Sequence, residues 1–543
     1  MQESLQLFTA QNGMLSARVS LPGKGIRHIH STVDPSVEAG FFDDLSFWGD
    51  CIVFAGFGLG YHLERKIKNI PPASMLVVIE YYDALIARCK ELFSGLSNTI
   101  VYISASTDTA AFTSLPKEHA PHLLQIVKHP ASFDINKKFY EPLVARFFID
   151  KPGRPSSPVQ KKPSAIMLYG NFFLEEEVRS ALMANDIEPV LFAYKDHLPS
   201  VYYEDMLMRL IQEKRPSFII SINMKGFDGN TAFADITGRF GIPVVAWFVD
   251  DPRPIVMNKL YSIRNNMIAV SWEKSYLKFL EKSGFVKVSY LPLASSPALF
   301  LRTPPPAVKP SVSLGFVGTA MVDAFAGNIK DKFLWSDSLE PLVEQASDNL
   351  LFDPRYSVEN SLVDLAHKIS VKIPFTDNKN RTWLCAYIIH VASMEKRKRI
   401  IAGLMDQGIE MFGDPEGWKH LLGPRIITHP NIDYRNNLRD IYGKICININ
   451  ITSCQMPSGV NQRVFDVPLA GSFVLSDDQK DLRDLFDVPK EAIVYENLTD
   501  LKEKIRYYLS HENERRSIIT AAQTRINSEH TYSHRIKNIL QLL

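Results

Sequence analysis

The stretch Gly241-Ile242-Pro243-Val244-Val245-Ala246-Trp247-Phe248-Val249-Asp250 decides the fold class of the chain. Its apolar residues run on with little alternation, which is typical of a strand covered on both faces. Similar short runs recur at 164–169, 188–193 and 217–222. An amphipathic stretch at 175–185 separates the first two of these runs. This rhythm of strand and helix predicts a doubly wound parallel sheet and therefore an α/β protein.

The same rhythm occurs on both sides of this region. Upstream, apolar runs at 51–56 and 75–80 alternate with an amphipathic stretch at 82–93. Downstream, apolar runs at 312–317 and 445–450 indicate a further sheet. A chain of 543 residues is also too long for one hydrophobic core. We therefore predict three Rossmann-like α/β domains.

Proline-rich stretches mark the predicted domain boundaries. Residues 151–163 carry prolines, serines and charges with little to bury, which is typical of a linker. A second proline cluster begins near Pro304. These signals divide the chain into a first domain at 1–150, the linker at 151–163, a second domain at 164–303 and a third domain at 304–543, in which 320–398 is interpreted as a helical insertion.

Charge and cysteine content exclude several classes of protein. Lys and Arg number 61 against 60 for Asp and Glu, and no long basic run offers a surface for nucleic acid. The five cysteines lack CxxC spacing, which argues against a disulfide framework and a zinc site. We also predict no metal site. The sequence shows neither a signal peptide nor the about 18 apolar residues of a membrane span. These features favour a cytoplasmic protein, and they leave its oligomeric state open.

The segment Ser458-Gly459-Val460-Asn461-Gln462-Arg463-Val464-Phe465-Asp466 joins a serine-glycine loop to a short helix. Backbone amides from Ser458 to Asn461 at a helix start are predicted to bind a nucleotide diphosphate. Arg463 can add a bidentate contact to phosphate, and Asp466, one turn later, can accept hydrogen bonds from both ribose hydroxyls. The alternative is an exposed salt bridge between these two side chains. Pro468 predicts that the helix is short or kinked.

Two carboxylates follow the strand quoted first. Asp250 and Asp251 precede Pro252, which places them at the carboxyl edge of the sheet. Crowded like charges raise the pKa of one carboxyl group, so either residue can serve as a general base. The alternative is that one of them caps the following turn, a common role for Asp before Pro.

Two glycine-containing turns complete the candidate site. Gly315 and Gly318 lie in and after the first strand of the third domain, where they allow the backbone to approach donor phosphates or form a plain tight turn. Gly170 and Asn171 follow the first strand of the second domain. They are interpreted either as an acceptor-side loop or as an ordinary turn.

Four stretches resemble those of the CgeB-like glycosyltransferases, a GT-B group. They are RVFD at 463–466 followed by Ala470-Gly471, AWFVDDPR at 246–253, GFVGT at 315–319 and EHTYSHR at 529–535. The resemblance implies a GT-B-like pair of Rossmann-type domains, with the acceptor side at 164–303 and the donor side at 304–543. It also implies transfer of a sugar from a nucleotide-diphosphate-sugar donor with no required cofactor.

The first domain contains a strand that leads into a G-x-G-x-G turn at Gly56, Gly58 and Gly60, with Glu80 after the next strand. This pattern is typical of a nucleotide site in which the acidic residue binds ribose hydroxyls. An S-adenosylmethionine-dependent methyltransferase and a non-catalytic nucleotide-binding scaffold are therefore alternative functions. The stretches GFGLGYH and VVIE also resemble the N-terminal domain of motility accessory factor-like proteins. That resemblance implies a protein acceptor such as flagellin, which the first domain binds or presents.

Overall fold

The computed structural model describes most of the chain, namely residues 3–43, 45–107, 123–149, 162–170, 172, 174–194, 203–229, 231–301, 310–322, 329–353 and 356–543. The predicted linker lies outside these residues except for its last two positions, and so does Asn171. The chain forms two compact units. The first comprises Met1–Gly170, Val190–Ile219 and Gly226–Ile242, and the second comprises Asn171–Pro189, Ile220–Lys225 and Pro243–Leu543.

The chain begins with a three-stranded antiparallel sheet in the order β1-β2-β3. Its strands are β1 (Ser4–Thr9), β2 (Leu15–Leu21) and β3 (Gly25–His28). Ser4 lies opposite Ser20, and Arg18 lies opposite His28. This sheet was not predicted from the sequence, because β1 and β3 bury few side chains and so lack a clear apolar pattern.

A four-stranded parallel sheet follows in the order β6-β5-β4-β7. Its strands are β4 (Cys51–Ala55), β5 (Met75–Ile79), β6 (Ile100–Ile103) and β7 (Leu124–Lys128). All five residues of β4 are buried, as the apolar run predicts. The α-helices of this region are α1 (Tyr61–Glu64), α2 (Asp83–Leu92), α3 (Pro130–Ile135) and α4 (Lys137–Ile149), and a 3-10 helix spans Pro35–Phe42.

A six-stranded sheet has the order β13-β12-β11-β10-β8-β9. Its strands are β8 (Ser164–Tyr169), β9 (Glu188–Ala193), β10 (Phe218–Ile222), β11 (Val244–Phe248), β12 (Met267–Ser271) and β13 (Lys287–Tyr290). The strand β11 is buried along its whole length and pairs in parallel with β12. The accompanying helices are α5 (Glu175–Ala184), α6 (Glu204–Lys214), α7 (Ala232–Arg239), α8 (Pro252–Met257), α9 (Leu277–Lys282) and α10 (Pro297–Phe300).

The last sheet is also six-stranded and has the order β16-β15-β14-β17-β18-β19, with every pair parallel. Its strands are β14 (Val312–Val317), β15 (Glu410–Phe412), β16 (Ile427–His429), β17 (Ile445–Asn450), β18 (Phe473–Asp477) and β19 (Ile493–Tyr495). From β14, the strands β15 and β16 follow on one side of the sheet. From its neighbour β17, the strands β18 and β19 follow on the other side. The order therefore reverses between β14 and β17, and open α/β sheets bind ligands at the carboxyl ends of the strands at such a switch point.

Three helices lie between β14 and β15, where the sequence suggested a helical insertion at 320–398, namely α11 (Glu340–Phe352), α12 (Val358–Lys368) and α13 (Asn378–Leu404). They share a hydrophobic core that includes Leu342, Leu362 and Leu384. The remaining helices are α14 (Pro415–Leu422), α15 (Leu438–Lys444), α16 (Arg463–Leu469), α17 (Lys480–Leu485), α18 (Leu498–Ser510), α19 (Glu512–Glu529) and α20 (Tyr532–Leu542). The helix α16 contains Pro468 and has only 7 residues, which confirms that it is short.

The prediction of an α/β protein with parallel, Rossmann-like sheets is thus confirmed. Within the part of the chain that the structure describes, none of the helices combines the length and apolar character needed to cross a membrane.

Candidate functional site

Arg463 joins the carboxyl ends of β14 and β17 at the switch point. As the first residue of α16, it donates a hydrogen bond to the carbonyl oxygen of Val317 at 2.7 Å. A second nitrogen of the guanidinium donates to Oδ1 of Asn450. The Cζ atom lies 5.0 Å from the ring centroid of Phe316. The side chain is therefore held at the edge of the sheet, and the alternative of an exposed salt bridge with Asp466 does not apply.

Arg397, on α13, brings a second guanidinium to this edge. It donates a hydrogen bond to the carbonyl oxygen of Thr319 at 2.7 Å, and its Cζ lies 5.7 Å from the Phe316 ring centroid. Burial lowers the pKa of Arg397 to about 9, and repulsion from the nearby charge of Arg463 contributes to the same shift. In the described part of the chain, the Nε atoms of both arginines are buried without a hydrogen-bond partner. Each guanidinium therefore keeps one N–H without an acceptor among the described residues.

The neighbouring lysine does not compete for this role, because it already has a carboxylate. The Nζ atom of Lys396 lies 2.7 Å from Oδ2 of Asp477, at the end of β18. Burial alone would raise the pKa of Asp477, but the charge of Lys396 and hydrogen bonds from Thr452 hold it below its ordinary value. Neither arginine has a carboxylate at ion-pair distance among the residues that the structure describes. The pair thus brings two guanidinium groups together with no carboxylate in direct contact among the described residues.

Gly318 forms the turn after β14 and lies against this pair. Its N–H donates to the carbonyl of Phe412 at 2.9 Å, and its carbonyl accepts from Nε1 of Trp418 at 3.0 Å. Its φ is +152°, and a Cβ added here would lie 3.0 Å from the Phe316 ring and 3.3 Å from a guanidinium nitrogen of Arg463. A side chain at this position would crowd the arginine, which explains a glycine at the turn.

Asn461 completes the group of predicted residues that the structure brings together. Its Nδ2 donates to Oδ1 of Asn450 at 2.8 Å, the same atom that accepts from Arg463. Its own Oδ1 is buried and has no partner among the described residues. Gly318, Asn461 and Arg463 therefore share one edge of the sheet, whereas Val460 is only 2% exposed and lies in the interior.

The amides of Ser458 and Gly459 bind a carboxylate of the protein itself, which corrects their predicted role. Glu273, just after β12, accepts from the N–H of Ser458 at 2.9 Å and from that of Gly459 at 2.7 Å. It also accepts from Oγ of Ser458 at 2.9 Å. Because Glu273 is fully buried, its carboxylate needs these donors, and the amides are not open to a diphosphate.

Asp466 lies in the interior, so the prediction that it binds ribose is also corrected. Every residue from Val464 to Leu469 on the short helix α16 is buried. Oδ1 of Asp466 accepts a hydrogen bond from Oγ of Ser295. Burial raises the pKa of Asp466 well above its ordinary value, and the nearby carboxylate of Glu177 contributes to the rise. The carboxyl group therefore lies away from solvent.

Two of the predicted glycines pack against side chains. A Cβ added at Gly315 would lie 2.9 Å from the Ile445 side chain on the neighbouring strand. A Cβ added at Gly170 would overlap the hydroxyl of Tyr194. Gly315 is therefore a packing position and does not face a phosphate, and Gly170 fits the ordinary-turn alternative. Its predicted partner Asn171 lies outside the described residues.

Asp250 and Asp251 follow β11 as predicted, but they take different roles. Asp251 accepts from the backbone N–H of Arg253 at 3.0 Å and caps α8, and it also forms an ion pair with that guanidinium. Asp250 accepts a hydrogen bond from Nδ2 of Asn223 at 2.8 Å. Burial raises the pKa of Asp250 to about 6, and the Asp251 charge adds to this shift. Only Asp250 therefore remains a candidate general base.

In the first unit, the backbone N–H groups of the glycine turn bind a side chain of the protein itself. Oε2 of Glu80 accepts from the N–H groups of Phe57 and Gly58 at 2.7 and 3.1 Å. Oε1 accepts from the hydroxyl of Tyr140 at 2.9 Å, and Glu80 is fully buried. Its predicted role in binding ribose hydroxyls is therefore wrong, because both oxygens already serve the protein. Gly56 and Gly60 do adopt the positive φ of a tight turn, at 76° and 82°.

His30 closes the same turn and belongs to a cluster with Glu38 and His129. Within the described residues, this cluster is the one group whose side chains could offer three ligands to a metal ion. Nε2 of His30 accepts from the N–H of Leu59 at 2.7 Å, and Nδ1 lies 2.5 Å from Oε1 of Glu38. A neutral imidazole that accepts through Nε2 carries its proton on Nδ1, so Nδ1 faces Glu38 as an N–H and has no lone pair for a metal. The cluster is a hydrogen-bond network that supports the turn.

Sequence reasoning missed Arg397, Asn450 and Glu273. Arg397 stands in the run Glu395-Lys396-Arg397-Lys398-Arg399, which is indistinguishable from the solvated face of a helix. Asn450 ends a buried strand at the switch point, and only the strand order in the structure distinguishes it from any other polar residue at a strand end. A lone glutamate after a strand, such as Glu273, carries no signal at all.

In comparisons with known proteins, residues 390–541 match the model of a family described as glycosyl transferase-like. No curated protein matches the chain significantly. Among solved structures, a sucrose-phosphate synthase from Thermosynechococcus elongatus is 10% identical with a TM-score of 0.42, covering 70% of this chain and 98% of that one. The HepE protein of Anabaena in complex with UDP is 11% identical with a TM-score of 0.38, and the match covers 70% of this chain and 100% of that one. An α,α-trehalose-phosphate synthase from Burkholderia vietnamiensis is 11% identical with a TM-score of 0.39, and the match covers 70% of this chain and 98% of that one.

Proposed function

We propose that this protein transfers a sugar from a nucleotide-diphosphate-sugar donor to an acceptor, and that Arg397 and Arg463 bind the donor diphosphate. The observation that carries the proposal is the pair of guanidinium groups at the switch point, which have no carboxylate partner in the described part of the chain. A diphosphate diester carries two negative charges, so it compensates the pair, and charge-assisted hydrogen bonds to phosphate are strong. The family match at 390–541 contains both arginines and supports this class of reaction.

The neighbouring residues have defined roles in this proposal. Gly318 lets the phosphates approach the end of β14, since any side chain there would crowd Arg463. Asn450 holds both Arg463 and Asn461 through a single carbonyl oxygen, which aligns their N–H groups at the edge of the sheet. Binding thus depends on side chains of α13 and α16 that lie at the carboxyl ends of β14 and β17, and the backbone amides of Ser458 and Gly459 do not contribute.

In the proposed reaction, Asp250 is the general base. Its carboxylate takes the proton from the acceptor nucleophile as that atom attacks the anomeric carbon of the sugar. The bond from that carbon to the diphosphate breaks, and the two arginines stabilise the negative charge on the leaving group. Because protein cations supply this stabilisation, the reaction needs no metal ion. The four CgeB-like stretches support a GT-B arrangement for this chemistry.

We also propose that the acceptor of the sugar is a protein such as flagellin. It is supported by the resemblance of 56–62 and 77–80 to the motility accessory factor-like proteins. The test is the intact mass of purified flagellin after incubation with the enzyme and activated sugars. A mass increase of one or more sugar residues supports the protein acceptor, whereas transfer to a glycan or lipid carrier with flagellin unchanged contradicts it.

A thermal-shift screen tests the donor class. UDP, GDP and TDP are compared with S-adenosylmethionine, since a ligand at 100 times its Kd stabilises the folded state by about 2.7 kcal/mol. We expect one of the nucleoside diphosphates to raise the Tm. Stabilisation by S-adenosylmethionine alone would contradict the proposal and favour a methyltransferase.

A further inference from the structure

The backbone next to Asp250 is unusual. Asn223 and Met224, at the end of β10, have φ values of 53° and 51°. This left-handed region favours glycine, and among the described residues no other two consecutive non-glycine residues adopt it. Backbone conformations of this kind persist where the surroundings hold them in place, and they are concentrated at functional sites.

The side chain of Asn223 explains why the backbone is held this way. Its Oδ1 accepts from the N–H of Val249 at 3.0 Å, and its Nδ2 donates to Oδ2 of Asp250 at 2.8 Å. Its backbone N–H donates to the carbonyl of Trp247 at 2.9 Å. Asn223 thus forms hydrogen bonds with Trp247 in β11 and with Val249 and Asp250 in the turn that follows. Asparagine is also the residue besides glycine that best tolerates a left-handed backbone.

We propose that Asn223 is a positioning residue, which fixes the orientation of the Asp250 carboxyl group and favours its ionised, proton-accepting form. This inference rests on the proposed function, in which Asp250 is the general base. The amide does not touch the reacting atoms. It acts by anchoring to the backbone of Val249 on one side and donating to the carboxylate on the other.

The charged groups around Asp250 determine how it titrates. Burial raises the pKa of Asp250 to about 6, while the hydrogen bond from Asn223 acts in the opposite direction. The Asp251 charge raises the pKa and is itself paired with Arg253. Lys225 lowers it, and so does a hydrogen bond from the side chain of Gln455. Removal of the Asn223 amide therefore raises the pKa of Asp250, because the ionised form loses a donor.

The test is the variant Asn223→Gly, which removes the amide and leaves a residue that accepts the left-handed backbone. Its matched control is Arg215→Gly, at the end of α6, where φ is 46°. We expect the acid limb of the kcat/KM profile to move up by about one pH unit in Asn223→Gly. The rate below that limb then falls about 10-fold, whereas Arg215→Gly keeps the wild-type profile.

A second measurement does not depend on turnover. The carboxyl carbons of 13C-labelled aspartate are titrated by NMR, and the Asp250 signal is identified by its absence from Asp250→Asn. An upward shift of its midpoint in Asn223→Gly supports the inference even if the wild type turns over no nucleotide sugar, a result that would refute the proposed function alone. An identical midpoint in both proteins overturns the inference, and so does an unchanged acid limb in an active Asn223→Gly enzyme.

Discussion

The guanidinium of Arg463 donates a hydrogen bond to the backbone carbonyl oxygen of Val317 at 2.7 Å. The two residues are 146 positions apart in the chain, yet the contact joins the start of α16 to the end of β14. Because β14 and β17 are neighbours at the point where the strand order reverses, the contact places a cation where such sheets bind ligands. Arg397 brings a second cation to the same edge from a helix that precedes β15.

Replacing either arginine should weaken nucleotide binding. We expect Arg463→Ala and Arg397→Ala each to raise the Kd for the stabilising nucleoside diphosphate about 10- to 100-fold, because each loses a charge-assisted hydrogen bond of about 1.5–3 kcal/mol. Isothermal titration calorimetry measures the Kd, and thermal unfolding verifies that each variant is folded.

Arg399→Ala is the matched control on the same helix. Arg399 is exposed and pairs with Glu395 and Asp348, both at 2.8 Å, so its loss should leave the Kd within about twofold of wild type. If all three variants bound equally weakly, the effect would arise from overall charge, and the site assigned to the arginine pair would be wrong.

Glu273→Gln should lower stability without lowering nucleotide affinity. Glutamine has one acceptor oxygen where the carboxylate has two. If this oxygen takes the place of Oε2, the N–H of Ser275 loses its acceptor, and if it takes the place of Oε1, the N–H groups of Ser458 and Gly459 lose theirs, at a cost of about 1–3 kcal/mol. Chemical denaturation measures the free energy of unfolding, and Glu281→Gln, at an exposed position, is the control. A marked gain in diphosphate affinity would show instead that the ligand displaces Glu273 from these amides.

Asp250→Asn should abolish transfer but keep nucleotide binding. Loss of a general base costs about 100- to 10,000-fold in rate, and wild-type activity should fall as the pH drops through about 6, because the protonated carboxyl group cannot accept a proton. Asp251→Asn tests the other carboxylate. It keeps an oxygen that can cap α8 but loses the ion pair with Arg253, so we expect lower stability with transfer retained, and the reverse result would assign the base to Asp251.

Gly58→Ala should destabilise the first unit by about 1–3 kcal/mol. Gly58 has a φ of +58°, and an added Cβ would lie 2.5 Å from Nε2 of His30. Gly95→Ala is the control, since a Cβ there meets nothing within 4 Å. Denaturant unfolding compares the two variants. If Gly58→Ala were as stable as wild type but had lost binding to S-adenosylmethionine, the turn would be a ligand site after all.

The sequence by itself determined the class of fold, because that depends on local pattern. A strand such as β11 is apolar at every position since both of its faces are covered, and this can be seen without knowing its neighbours. The short length of the helix α16 was likewise predicted from a local feature, the proline at position 468. Arg463 was predicted to bind phosphate because an arginine in a first helical turn after a serine-glycine loop suits that role, and this assignment stays a prediction.

Only the tertiary structure decided which partner each polar group has. The amides of Ser458 and Gly459 bind Glu273, more than 180 positions earlier in the chain, and Asp466 binds Ser295 in the interior. Arg397 looked like part of a solvated helix and lies instead beside Arg463. Hydrogen bonds act over about 3 Å, so their partners depend on which strand ends share an edge of the sheet. Strand order sets that edge, and no local pattern encodes it.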